Sequence, residues 1–511
     1  MSLLLALPVI APFFAAIAAF LFRRGREGRW ISVAGSAVTL AAGIALLAEV
    51  IASGTVAAQM GGWPAPFGIT LVADVLSAVM VVITGVTALA VAVYALADVT
   101  EPMEELGYHA LFQVLIAGVC GAFLTGDLFN LYVWFEVMLI SSFGLLVLGG
   151  SKVQMDAGIK YVTLNLISTI LFLSGIGLLY GVTGTLNMAD LHLAVRGADG
   201  PLLTVIAVMF MVGFGVKAAV FPLFFWLPAS YHTPSFAVSA VFAGLLTKVG
   251  VYALIRMFTL VFTQDVPFTH GILLWVAVLT MVTGVLGAAA QTDFRKILSF
   301  HIVSQIGYMV LGLALMTPLA IAGAVFYLVH HIIVKANLFL VSGVADRIAG
   351  STELDRIGGL YKGAPLLGLL FLIPAFSLAG FPPLSGFWAK CVLVKASLDI
   401  EAWLVAFAAL AVGMLTIYSM TKIWGRAFWE PHPSGMVPTL RSLPPARRAA
   451  FLLPIAFLAT GTVIIGLAPG PFLDLAVRSA GELLDPAAYV AAVLGPIDAP
   501  EPPAVMIGAL P

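Results

Sequence analysis

The sequence predicts an all-α polytopic membrane protein of about fourteen transmembrane helices. Three observations carry this reading. Of the 511 residues, 61% are hydrophobic and 10% charged, and no water-soluble domain of that length has a core large enough for such an apolar inventory. The mean hydropathy is +1.10. Apolar runs of about 20 residues, which cross a bilayer at about 1.5 Å per residue, recur along the chain, and the alternation of a membrane β-barrel is absent.

In order, the expected spans are 1–22, 30–52, 73–97, 108–125, 128–148, 160–183, 202–228, 235–260, 270–290, 298–317, 319–342, 364–391, 402–425 and 449–470. The first lacks the basic leader of a signal peptide and another span follows at once, so it is expected to be retained. Connections are short apart from 53–72, 184–201, 343–363 and 426–448 and a Pro-rich tail after 483, and none holds a soluble domain. Cys120 and Cys391 lie in apolar runs and read as small buried residues, too few for an iron–sulfur or zinc site. With neither a phosphate-binding glycine loop nor a dinucleotide fingerprint, the chain is expected to need no cofactor, to move no electrons itself and to bind no nucleic acid.

Lys and Arg set the orientation. If the N-terminus is external, the inner connections carry 16 of them and the outer side Arg196, Arg256, Lys395 and Arg478. Both termini are therefore expected outside. The acidic loop "DVTEPMEELG" falls inside against this trend, although acidic residues weigh little in it.

The remaining four basic residues, Lys217, Lys248, Lys335 and Lys390, lie within spans, as does Glu136 in "LYVWFEVMLISSFGLL". A lysine in a span often snorkels to an interface. Here Lys217 and Lys248 have apolar sequence on both sides, and together with Glu136 and Lys335 they would cost on the order of 10 kcal/mol if they faced lipid. They are expected to face a polar interior and to pair, an arrangement that handles protons because a neighbouring charge decides which form wins. Lys217 lies close before Pro222 and Pro228, and Lys390 ends "SLAGFPPLSGFWAK" with Pro382 and Pro383. A proline frees backbone carbonyls, which is tolerated where the break lines a cavity, though a proline can also merely kink a packed helix. His331 shares a helix face with Lys335, His330 is adjacent, and His232 follows the first break at the inner side, so each is either a relay or a hydrogen-bonded packing residue. His301 is weaker. Asp74 and Asp127 sit near outer span ends, as helix caps or, for Asp74, at the edge of a proton path. One clear carboxylate among four lysines does not indicate a metal site, and a sodium route is left open.

The stretches "TGDLFNLYVWFEVMLISSFGLL", "GFGVKAAVFPLFFWLPASYHTPS", "LLTKVGVYALIR", "QTDFRKILSFHIVSQIGYMVLGL" and "LAGFPPLSGFWAK" resemble the antiporter-like subunits shared by complex I, membrane-bound hydrogenases and Mrp antiporters, over roughly 70–475. Within that group the chain looks most like the D subunit of Mrp-type Na+/H+ antiporters. The resemblance implies two inverted five-helix repeats, here 108–260 and 270–425, between N-terminal helices (1–107) and a last helix with its tail (426–511). It implies that Glu136 and Lys217 are a proton-switching pair, Lys248 a connecting lysine, the helix with His331 and Lys335 a central relay, and Lys390 the terminal lysine, although some relatives carry glutamate there. It also implies a multi-pass subunit of a plasma-membrane complex that moves protons and Na+ with several partner subunits. A proton-pumping subunit of a redox complex and a stand-alone solute carrier are the alternatives. The lysine row speaks against the solute carrier, and the absence of a long lateral helix after the core against the distal complex I subunit.

Overall fold

A computed structural model of the chain describes residues 2–495. Among them, 12 helices are long and apolar enough to cross a membrane, and two shorter apolar helices, Tyr108–Leu124 and Pro365–Ala379, complete the fourteen. They are α1 (Ser2–Leu21), α2 (Glu27–Ser53), α3 (Val75–Asp98), α4 (Tyr108–Leu124), α5 (Leu128–Val147) and α6 (Lys152–Thr183). Next come α7 (Gly200–Ala218, resuming at Trp226–Ser230), α8 (Phe236–Leu260), α9 (Val266–Ala290), α10 (Phe294–Leu315) and α11 (Pro318–Ala349). The last are α12 (Pro365–Ala379, resuming at Ser385–Asp399), α13 (Trp403–Trp429) and α14 (Pro445–Leu467). Two further helices, α15 (Gly470–Leu484) and α16 (Ala487–Leu494), occupy the start of the expected tail. The 53–72 connection folds into a hairpin, β1 (Val56–Gln59) antiparallel to β2 (Thr70–Ala73).

Burial sorts the helices into a centre and a rim. The apolar stretches of α8 and α10 are 94% buried, that of α11 is 89% and that of α3 is 78%, against 39–44% for α1, α2, α5, α6, α9, α13 and α14. Rim helices turn an apolar side outward, as lipid requires. The central ones must satisfy every polar group within the protein. All four central helices carry buried polar side chains, and α8, α10 and α11 carry the densest set: Lys248, His301, Gln305, His330, His331, Lys335 and Asn337.

The acidic 98–107 connection meets its basic neighbours directly. Arg29 donates to Glu104 at 2.7 Å, with His109 on the other carboxylate oxygen. Burial opposes a charge on Glu104, yet its bonds to His109 and Arg29 hold the carboxyl below the usual range. Asp98 caps α8 by accepting from the Ala237 amide and faces Arg347. The acidic loop thus neutralises the basic end it shares. At the opposite end, Asp74 caps α3 through the Ser77 amide and forms a 2.6 Å ion pair with Arg256, both buried. The Tyr489 ring of α16 covers that arginine, and Glu482 of α15 accepts from the Val75 amide at 2.9 Å.

Both interruptions stand where the prolines indicated. Each helix stops in a left-handed residue, Ala219 (φ 62) or Gly380 (φ 96), and a cis proline follows at Phe221–Pro222 and at Pro382–Pro383. One expectation is corrected: Cys120 is buried, but Cys391 is exposed, because Lys390 takes the inward face of α12 and turns its neighbour outward.

Candidate functional site

Glu136 and Lys217 come together, but not as a direct ion pair. Thr169 of α6 stands between them: its hydroxyl donates to Glu136 Oε1 at 2.7 Å, and Lys217 Nζ donates to Thr169 Oγ1 and to the Asn165 carbonyl, both at 3.4 Å. Lys217 also lies 5.6 Å from the centre of the Phe135 ring. It belongs to the last turn of the first half of α7, and the break beyond it is closed by Trp226, whose indole donates to the Val216 carbonyl at 3.0 Å. Lys217, Asn165, Tyr161 and Trp226 line a cavity of about 20 Å³, about what a single water needs.

Lys248 is fully buried on α8, and its ammonium donates to the Ala243 carbonyl. Ala243 lies in a π-helical turn, Phe242–Leu246, immediately before the lysine. A π turn shifts the carbonyl ladder and offers the cation an oxygen from its own helix. Next comes α11. The Lys335 ammonium donates to the Leu298 carbonyl of α10 at 3.0 Å, and His331, one turn earlier, has Lys248, Lys335, His330 and His301 as electrostatic neighbours. Among the described residues, neither ring nitrogen of His331 or His301 has a hydrogen-bond partner, nor does either amide atom of Asn337. A buried polar atom left so costs about 1–3 kcal/mol, so this concentration makes the centre of α10 and α11 an unusually polar interior.

The row ends at the second break. Lys390, five residues into the second half of α12, reaches back to donate to the Ala379 carbonyl at 3.1 Å and lies 5.2 Å from the Tyr308 ring centre. A Cβ on Gly380 would stand 2.9 Å from Lys390 Cδ, so glycine there meets both the positive φ and the lysine's path. His330 bonds Ser385 at 2.8 Å, which ties α11 to the same break.

His232 stands apart from the row, in a cleft of about 460 Å³ at the basic end that Asp156, Lys160, Lys296 and Phe225 also line. Burial, with Arg295 and Lys296 adding to it, holds this histidine below the ordinary range, while its bond to the Pro228 carbonyl acts the other way. Asp74 is also apart: its carboxylate is taken up by the cap, the Ser77 hydroxyl and Arg256. Sequence reasoning missed Thr169, Asn165, Tyr308 and the π turn. Only the prolines advertised where carbonyls come free.

Residues 125–416, more than half of the chain, match the family model described as NADH:quinone oxidoreductase/Mrp antiporter, TM. The chain belongs to this family. It is 46% identical to the D subunit of the Na(+)/H(+) antiporter of Alkalihalophilus pseudofirmus over 97% of its own length and 100% of that protein's. Among solved structures, it matches a chain of the Mrp complex from Dietzia sp. DQ12-45-1b with TM-score 0.89 at 35% identity, covering 97% of this chain and 100% of that one. A chain of respiratory complex I from Thermus thermophilus matches at TM-score 0.81 and 25% identity, covering 94% of this chain and 99% of that one. The likeness drawn from the five quoted stretches is borne out, and so is the helical membrane fold.

Proposed function

We propose that the chain is the proton-translocating subunit of a multisubunit Mrp-type Na+/H+ antiporter in the plasma membrane. Protons move through Glu136, Lys217, Lys248, His331, Lys335 and Lys390, and their inward flow drives sodium out. The observation that carries this reading is the row itself: four buried or half-buried lysines and a carboxylate, each held by a carbonyl or hydroxyl rather than a fixed counter-charge. A permanently paired lysine is held in its charged form and does not give up its proton. One held by neutral oxygens changes state when its neighbour does. His232 and its cleft serve as the access from the basic side, with His330 and Asp74 of lesser weight.

The basic end faces the cytoplasm and both termini lie outside, which follows the distribution of Lys and Arg. The halves 108–260 and 270–425 act as two inverted half-channels, each with its own helix break. Work comes from the membrane potential, about 2.3 kcal/mol per charge per 100 mV, so the chain is a secondary transporter rather than an enzyme and needs no cofactor. Its partners are the other antiporter subunits and the lipid around its apolar rim.

The test uses everted vesicles from cells without their own antiporters, expressing this chain with its neighbouring genes. Sodium should collapse a respiration-built pH gradient in wild type and not in Lys217→Ala. A fully assembled complex that ignores sodium would transfer the assignment to a redox-driven proton pump.

A further inference from the structure

The chain carries an internal register that reaches beyond the six residues of the row. α4 ends at Leu124 and α9 at Ala290, Asp127 caps α5 and Asp293 caps α10, and α6 (Lys152–Thr183) and α11 (Pro318–Ala349) each have 32 residues. Every counterpart lies 166 positions further on, as Asp127 to Asp293, Lys152 to Pro318 and Thr183 to Ala349 show. The caps agree in detail: each aspartate accepts from the third amide onward, Asn130 at 2.7 Å and Lys296 at 2.8 Å. Each also bridges a later segment, Asp127 to Asn187 and Asp293 to Glu353. The same shift along α6 sets Asn165 in the place of His331 and Thr169 in the place of Lys335.

Thr169 is bonded unlike its neighbours. A helical threonine usually donates to the carbonyl four residues earlier, as Thr163 does to Ile159 and Thr183 to Leu179, both at 2.8 Å. For Thr169 that carbonyl is Asn165, and Lys217 donates to it instead. The hydroxyl is turned to Glu136, with its oxygen open to the Lys217 ammonium.

We propose that Thr169 is a proton relay, the hydroxyl counterpart in the first half of Lys335 in the second. A Lys217 N–H bond breaks as a new O–H bond forms on Thr169 Oγ1, and the original Thr169 proton passes to Glu136 Oε1. The lysine ends neutral, the glutamate protonated and the threonine unchanged. Charged hydrogen bonds of this type measure about 2.7–2.9 Å, so the 3.4 Å contact to Lys217 must close by roughly half an ångström first. That approach is the gate.

The inference rests on the antiporter reading, and the experiment separates the two. Thr169→Val keeps the shape and loses the hydroxyl, whereas Thr169→Ser keeps the hydroxyl. In the complete complex in everted vesicles, Ser should exchange within about twofold of wild type and Val should fall at least about a hundredfold, the low edge of what a positioned proton donor supplies, with equal amounts of assembled complex. Val at the wild-type rate, or Val and Ser equally impaired, overturns the relay. If wild type itself ignores sodium, the antiporter reading fails, and proton flux through the reconstituted complex under an imposed potential, without sodium, still tests the same two variants.

Discussion

Asp74 and Arg256 allow a double substitution that separates an architectural ion pair from a transport group. The Asp74 carboxylate accepts from the Ser77 amide at 2.9 Å, the Ser77 hydroxyl at 2.6 Å and Arg256 at 2.6 Å. In Asp74→Leu, Arg256 is left buried, its remaining partners among the described residues being the Tyr252 hydroxyl at 3.2 Å and the Tyr252 and Tyr489 rings. Breaking one side of a buried pair costs about 3–5 kcal/mol, and a lost helix cap adds about 1 kcal/mol. Arg256→Met leaves the cap and costs about 3–5 kcal/mol. Together, Asp74→Leu and Arg256→Met remove both charges, and the expected loss shrinks to about 1–3 kcal/mol, because an apolar pair often replaces a buried ion pair without penalty. Thermal stability of the detergent-solubilised complex, read by gel filtration after heating, gives the ordering, and vesicle exchange runs beside it. A double variant as unstable as the two single losses combined refutes the pair energetics. A double variant that is stable but exchanges no sodium places Asp74 on the proton path.

Four further outcomes follow from the row and the two helix breaks. Glu136→Gln still accepts the Thr169 hydroxyl, so it should assemble normally and lose coupled exchange in the vesicle assay. Lys335→Met removes a fully buried cation held by one carbonyl, and it should raise thermal stability by about 1 kcal/mol or more while abolishing exchange; a fall in stability contradicts the assignment of that lysine to function over folding. Gly380→Ala sets a Cβ at φ 96 and 2.9 Å from Lys390 Cδ, which should cost about 1–2 kcal/mol and slow exchange, whereas Ala219→Gly at φ 62 should be stabilising when melting temperatures are compared.

Much of this molecule is legible in its sequence. Spans were readable because lipid forces long apolar runs, and the breaks because proline cannot continue a helix. Buried lysines stood out because apolar surroundings make them expensive. Less visible were features that depend on partners far along the chain. Nothing local tells that Asp74 meets Arg256, and Cys391 lies in an apolar run yet is exposed. The π turn ahead of Lys248 has no propensity signature in "FAGLL". Thr169, in "LISTILF", looks like any small packing residue, and only the position of Lys217 over the Asn165 carbonyl reveals its different bond. Span ends erred where helices outrun the apolar run: α6 begins at Lys152 and α11 continues to Ala349, beyond the expected 160 and 342.

The clasp between the tail and the first helices has a consequence for biosynthesis. Arg478 donates to the Val50 and Ile51 carbonyls at 3.1 Å, and Glu482 takes the Val75 amide. A ribosome adding about 5–20 residues per second emits Arg478 roughly 20–85 s after Ile51. Until then the Val50 carbonyl has the Gly54 amide, and neither it nor the Val75 amide has its partner from α15. A chain that stalls near residue 470 would carry every transmembrane helix and lack the closure. Residues 470–494 therefore tie the ends of α2 and α3 together only after every transmembrane helix has been made.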